Sequence, residues 1–368
     1  MEPCHWISSR PGLCLMLIGM LGLASPARAQ KWELEFVGGG VFPSSGNGGT
    51  TALPPPNSTL SGVPPGLPGA RIVSSWYFGD GTAQLNEAIL SRLALFRVNP
   101  AIVPLDAVLQ SRFAERESGP TIGFRVSRVL TPRFSAEFTL ESVSAPLSLD
   151  SNSIAGIEAS RLSFINAWYG FIVATGTPTV TSVATIDDNR GRQLAGTGTL
   201  LVNLTTHSRL TPYVVGGGGV VSNGDRNPSA QLVGRYQFGL GTPPGVPIPP
   251  LNIDETDTVV IRTEFDNKFA FVIGGGVKYP INSRFSLRLD VRDLMYDDSQ
   301  RTELDATPMT VPNPSSGVIF GTTPQIAFGS SPVVRSTLSG GALSRFETFR
   351  ATGTIHQVHA TGGIIWRF

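Results

Sequence analysis

Cysteine is almost missing from this 368-residue chain: Cys4 and Cys14 are the only two. Both precede Ala27-Arg28-Ala29, an A-x-A cleavage signal, so the expected mature chain has no thiol for a disulfide or a thiolate metal site. The apolar run at 13–23 is too short to cross a bilayer. No later segment supplies about eighteen consecutive apolar residues, which excludes helical spans. Charged residues are scarce at 15% and nearly balanced, with a net charge of +1. A nucleic-acid partner, which calls for a basic excess, is therefore not expected. The glycine runs at 216–219 and 274–276 are followed by no Gly-Lys-Ser/Thr and open no helix, so they do not form a phosphate loop. No cofactor and no metal site is expected.

What remains is abundant glycine, 42 residues, and apolar residues placed at every second position. Counting back from the end, Phe368, Trp366, Ile364, Gly362, Ala360 and Val358 share one face. Arg367, Gly363, Thr361, His359 and Gln357 share the other. Near the start, Trp32, Leu34 and Phe36 oppose Glu33, Glu35 and Val37. The same alternation predicts strands over 121–130 and 134–143, over 197–206 and 210–221, and over 268–279 and 284–296. The eight strands are joined by alternating connections, short at Thr131-Pro132-Arg133, at His207-Ser208 and at residues 280–283, and long elsewhere. Bacterial outer-membrane barrels have this asymmetry, with short periplasmic turns and long extracellular loops, and an even strand number puts both termini on the periplasmic side.

The reading is therefore an all-β fold, an eight-stranded antiparallel transmembrane β-barrel. Its long extracellular loops contain short helices over 83–96, 105–113 and 153–172, where apolar residues recur at helical spacing. Residues 1–29 are read as a cleaved signal peptide and 30–368 as the outer-membrane barrel. Residues 231–238 and 258–264 are read as a pair extending above the membrane, with a ten-strand barrel as the alternative. Strand direction then places Trp32, Phe134, Tyr213, Tyr279 and Phe285, with Trp366 and Phe368, in a periplasmic aromatic girdle.

The A-x-A signal, the glycine run within 212–221 and the terminal Ile364-x-Trp366-x-Phe368 resemble the OmpA-like family of small outer-membrane β-barrel proteins over residues 31–368. In that family the terminal aromatic and the alternate apolar residues are read by the barrel-assembly machinery. The resemblance carries this assembly signal to Ile364, Trp366 and Phe368. Two features depart from the family: the first loop is much longer, and no peptidoglycan-binding domain is expected after the barrel.

The opposite strand faces hold Glu33, Glu35, Arg125, Glu137, Glu141, Lys268, Arg288, Asp290, Arg292 and Arg367. The interior of an eight-stranded barrel is just filled by side chains, so these groups are expected to pair in a lumen charge network, with Arg367 beside Glu33. Asp254, Glu255, Asp257, Asp297 and Asp298 read as solvated loop charge at the outer rim. The histidines His207, His356 and His359 show no His-x-Ser pattern, and no catalytic residue is expected. The functional reading is a non-enzymatic integral protein of the bacterial outer membrane, a surface scaffold with loop-mediated interactions whose loop ligand the sequence does not name. Outer-membrane lipids, lipopolysaccharide and, during biogenesis, the barrel-assembly machinery are its expected partners. The alternatives are a small or gated, porin-like diffusion channel and, last, a lipid A-modifying enzyme.

Overall fold

The computed structural model describes residues 32–44, 49–55, 73–93, 101–144, 147–172, 179–188, 192–206, 208–224, 227–240, 251–310, 318–319, 327–328 and 342–368. The signal peptide expected over 1–29 and His207 lie outside the described residues. In chain order the first elements are β1 (Trp32–Pro43), β2 (Gly49–Thr51), α1 (Gly79–Leu93), α2 (Asp106–Leu109), β3 (Ala114–Arg116), β4 (Gly119–Val129) and β5 (Phe134–Val143). Then come β6 (Leu147–Leu149), α3 (Ser151–Ile172), β7 (Thr179–Asp187), β8 (Gln193–Asn203), β9 (Thr211–Asn223), β10 (Ser229–Leu240) and β11 (Leu251–Glu264). The chain continues through β12 (Lys268–Pro280), β13 (Phe285–Asp297), β14 (Arg301–Thr310), β15 (Val318–Ile319), β16 (Ala327–Phe328), β17 (Leu343–Ala351) and β18 (Thr354–Arg367).

Eight of these strands close into an antiparallel barrel in the order β1-β18-β13-β12-β9-β8-β5-β4. Two of its short turns are built the same way. Thr131 Oγ1 accepts from the amides of Arg133 and Phe134, and Asn282 Oδ1 accepts from those of Arg284 and Phe285. A side-chain oxygen standing in for the backbone acceptor sets a tight reversal and hence the hairpin register. Closure joins the ends of the chain: β1 pairs with β18 on one side and β4 on the other, with Glu33 opposite Arg367 and Leu34 opposite Trp366. The Trp32 and Phe368 backbones exchange hydrogen bonds of 3.1 and 3.0 Å, which leaves no open sheet edge there.

Strand parity sorts the barrel into two surfaces. Phe36, Phe124, Ile122, Phe271, Ile273, Leu289 and Val291 face outward and are exposed. From Trp32 to Phe42 the outward column of β1 covers about ten residue steps, which at a tilt of about 40° climbs roughly 25 Å. Two ionisable groups mark its margins. Arg128 lies over the Trp32 ring at 5.7 Å, and Asp293 is held 2.7 Å from His356 Nδ1.

The long connections do not fold as four separate loops. Their strands form one six-stranded sheet, β2-β17-β14-β11-β10-β7, assembled from the segments that follow barrel strands β1, β5, β9 and β13. The 231–238 and 258–264 pair expected from sequence is present as β10–β11, within this second sheet, so the barrel has eight strands. Strands β7, β14 and β17 were not anticipated. Helices α1 and α3 cover one face. Leu232, Tyr236, Val259, Ile261 and Leu304 of the sheet share a buried core with Trp76, Leu85, Ile89, Phe164 and Trp168. Each fully buried side chain of this size contributes roughly 1.5–3 kcal/mol, so the outer domain has a core of its own. Asp150 starts α3 as an N-cap, its carbonyl accepting from Ile154 and its carboxylate from the Ser153 amide at 2.9 Å.

The acidic residues read as solvated rim charge are for the most part not solvated. Glu255 and Asp257 are fully buried in the outer domain, and Asp298 is buried at its junction with the barrel. Glu255 and Asp257 alternate along β11 with the outward Asp254 and Thr256, a period-two pattern that a loop reading hides. Asp257 Oδ2 accepts from Ser75 Oγ at 2.9 Å and from the Trp76 amide at 2.7 Å, while Tyr236 donates to Glu255.

Candidate functional site: the barrel lumen

The inward residues of β1, β4, β5, β12, β13 and β18 meet in one network. At the end near the chain termini, Arg367 donates to Glu33 through Nε and Nη2, at 2.9 and 2.6 Å. Lys278 Nζ approaches the second Glu33 oxygen at 3.3 Å. Deeper, Arg288 joins Glu35 at 3.0 Å and Glu137 at 2.5 Å, and Arg292 joins Glu137 at 2.6 Å. Asp290 takes Arg125 at 3.0 Å and Arg292 at 2.9 Å. Arg125 also reaches Glu141 at 2.9 Å, and Glu141 accepts the His359 ring at 2.8 Å.

Among the described residues this network holds five carboxylates and five cations, so it is close to neutral without counting His359. Burying a lone charge costs several kcal/mol; a matched and hydrogen-bonded set offsets that cost and fills the bore. Toward the outer domain the lining changes. Gln357 donates to Gln193 at 2.8 Å and accepts from Tyr296 at 2.9 Å. Around them Ala195, Val221, Ala270, Val272, Leu294, Tyr296 and Ile355 form a buried apolar cluster in the same end of the bore.

Every residue read from sequence as a network member is inward and buried or partly buried in this arrangement, except that Lys268 sits half-buried at the outer end of β12 and makes no ion pair among the described residues. Other participants were missed, Lys278, Thr361 and His359 among them. Lys278 shares the parity of Lys268 and so was legible from its exposed neighbour Tyr279. Thr361 donates to Asp290 at 2.5 Å, and His359 lies beside Glu141.

Tyr213 is a correction. The girdle reading placed it on the outside, but it is 2% exposed and belongs to the lumen. Its hydroxyl donates to Asp290 at 3.1 Å and accepts from Arg288 Nε at 2.6 Å, and the Arg288 guanidinium lies 4.7 Å above its ring. The parity signal was in Val214 and Val220, both exposed, but the glycines between them carry no side chain to mark a face. The ring needs room: a Cβ on Gly276 would meet the Tyr213 hydroxyl at 2.5 Å and the Leu289 carbonyl at 2.3 Å. Gly363 likewise leaves space for Glu35, whose Oε1 would stand 2.3 Å from an added Cβ.

The other girdle residues lie outside. Phe134, Tyr279, Phe285, Trp366 and Phe368 are exposed and Trp32 is partly so, with the Trp366 and Phe368 rings 5.1 Å apart and Phe285 opposite Trp366. Ile364 continues that column outward. No group of three or more His, Cys, Asp or Glu residues among the described residues is arranged to hold a metal ion.

A scan against protein-family models and a search among curated proteins found no match. Among solved structures the chain is similar to the outer membrane protein OprG from Pseudomonas aeruginosa, at 9% identity and a TM-score of 0.34, covering 91% of this chain and 95% of that one. It is also similar to a major outer membrane protein from Thermus thermophilus, at 11% identity and a TM-score of 0.31, covering 93% of this chain and all of the other.

Proposed function

We propose that the protein is an integral, non-enzymatic β-barrel of the bacterial outer membrane that anchors an outer domain for contacts at the cell surface. The carrying observation is the division of the barrel into an apolar outward belt of roughly 25 Å, the thickness required of such a barrel, and a filled ionic interior. Exposed Phe36, Ile122, Phe271 and Leu289 would be unfavourable in water as one continuous patch and are at home against lipid tails. Trp32, Phe134, Tyr279, Phe285, Trp366 and Phe368 then lie at the periplasmic interface, with Ile364, Trp366 and Phe368 as the signal for the barrel-assembly machinery. This last role, like membership of the OmpA-like family, rests on the resemblance in those residues. Outer-leaflet lipid and lipopolysaccharide are the immediate neighbours in this reading, and the loops supply one folded platform in place of four separate ligand arms.

The filled ionic lumen, with the buried apolar cluster toward its other end, supports a closed bore. The test is electrical: the refolded chain in planar bilayers is expected to give no conductance steps above background. Stable steps in the wild-type protein would refute the closed scaffold and establish the diffusion-channel alternative.

A further inference from the structure

Where the barrel mouth meets the outer domain there is a cavity of about 200 Å³. Ser44 at the end of β1 and Ile355 of β18 line it from the barrel side. Arg112 and Arg116 line it from the segment around β3, and Asp298 and Gln300 from the link between β13 and β14. Gln300 is only 1% exposed, yet its Nε2 has no hydrogen-bond partner among the described residues. The amide cannot simply be turned over, because Arg112 Nη1 donates to Gln300 Oε1 at 2.9 Å and fixes which end is the acceptor. A buried donor with no acceptor is destabilising unless something in the cavity accepts from it.

The other groups around the space favour the same kind of occupant. Ser44 Oγ accepts from the His356 amide at 3.0 Å and so keeps its own proton to donate. Arg116 donates to the neutral Asn223 Oδ1 at 2.7 Å and lies 4.9 Å over the Phe265 ring, so its charge meets no carboxylate among the described residues. The Asp298 charge is balanced by Arg112: one oxygen accepts from Arg112 at 2.7 Å and the other from the Gln300 amide at 3.1 Å. Glu115 also lines the cavity and is exposed to solvent. Three residues with donors to offer, one of them cationic, line a space with apolar walls at Pro43, Phe265 and Ile355.

We infer that this cavity is a binding site for a small carboxylate, whose oxygens accept from Gln300 Nε2, Ser44 Oγ and the Arg116 guanidinium. The site stands apart from the lumen network and does not depend on whether the bore conducts. Propionate is the probe, titrated against the full chain refolded in detergent micelles and followed by ligand-observed NMR, with propylamine and inorganic phosphate as comparisons. Saturable propionate binding is expected. It should weaken by about tenfold or more in Gln300→Leu and in Arg116→Met, the loss of one charge-assisted or buried hydrogen bond, while both variants keep the heat-modifiable mobility of a folded barrel. Ser44→Ala, which leaves both side chains in place, should weaken it less. Absence of saturable binding, or undiminished binding in both variants, overturns the site, and tighter binding of phosphate or propylamine overturns its assignment to carboxylates.

Discussion

Arg367, on the last strand, grips one oxygen of Glu33, on the first, with two guanidinium nitrogens at 2.9 and 2.6 Å, across 334 residues of sequence. The pair sits where the barrel closes, and the other Glu33 oxygen is left to Lys278 at 3.3 Å. Closure is thereby tied to the ionic filling of the bore.

Removing one partner should cost more than removing both. Arg367→Met leaves the buried Glu33 carboxylate with Lys278 as its one cation, and a loss of roughly 2–3 kcal/mol is expected, below the 3–5 kcal/mol of a fully buried pair because Arg367 is about a third exposed and Lys278 remains. Adding Glu33→Gln should restore part of that stability. Reversible denaturant unfolding in micelles measures both. A double variant no more stable than Arg367→Met would show that the pair is not coupled.

Asp257 makes the outer domain sensitive to pH. Burial away from water raises its pKa from 3.8 to about 7, against the lowering effect of its hydrogen bonds from Trp76 and Ser75, and nearby Glu255 adds to the rise. Below pH 4 folded and unfolded chains both hold the proton. Between pH 4 and 7 only the folded chain holds it, so stability falls as pH rises, by on the order of 4 kcal/mol once pH 7 is passed. Asp257→Asn, whose side-chain oxygen can still accept from Ser75 and Trp76, should flatten this slope and be the more stable form at pH 8. Near-ultraviolet circular dichroism of the buried Trp76 and Trp168 during melts at pH 5 and pH 8 reports it.

Gly276→Ala should be poorly tolerated. The new methyl would collide with both the Tyr213 hydroxyl and the Leu289 carbonyl. Overpacking of this kind costs about 1–3 kcal/mol. Because the carbonyl belongs to the neighbouring strand, Tyr213→Phe should relieve only part of the loss. Full recovery in the double variant would mean that the backbone contact is yielding and the tyrosine alone sets the constraint.

Trp366→Ser combined with Phe368→Ser should leave the chain unassembled in the periplasm of an expressing cell, since both rings lie on the outward column next to the barrel seam. Pulse labelling followed by heat-modifiability gels decides the point: barrels of normal mobility and yield from the variant would exclude these residues as an assembly signal.

The eight barrel strands are legible because alternation is a local property: Trp32, Leu34 and Phe36 against Glu33 and Glu35 needs only neighbours in sequence to be seen, and so does the pairing of Glu33 with Arg367 once closure is assumed. The period fails at the glycine run of β9, where positions without side chains carry no face label, and there Tyr213 was put on the wrong surface. Strands β7, β14 and β17 gave no usable signal, because each pairs with a strand from another connection and the core face of their sheet is completed by α1 and α3. The cavity around Gln300 is less legible still, since its lining is drawn from five separate segments.

By itself the sequence determined a barrel with an apolar outside, an ionic inside and two rims, because side-chain direction in a strand follows from position alone. Only the tertiary structure decided that the connecting segments form one domain, that Glu255 and Asp257 are core residues, and that an apolar cluster gathers in the bore around Gln193 and Gln357. Those facts depend on which distant segments share a hydrogen-bonded edge, and chain-closure entropy makes that choice a property of the whole fold.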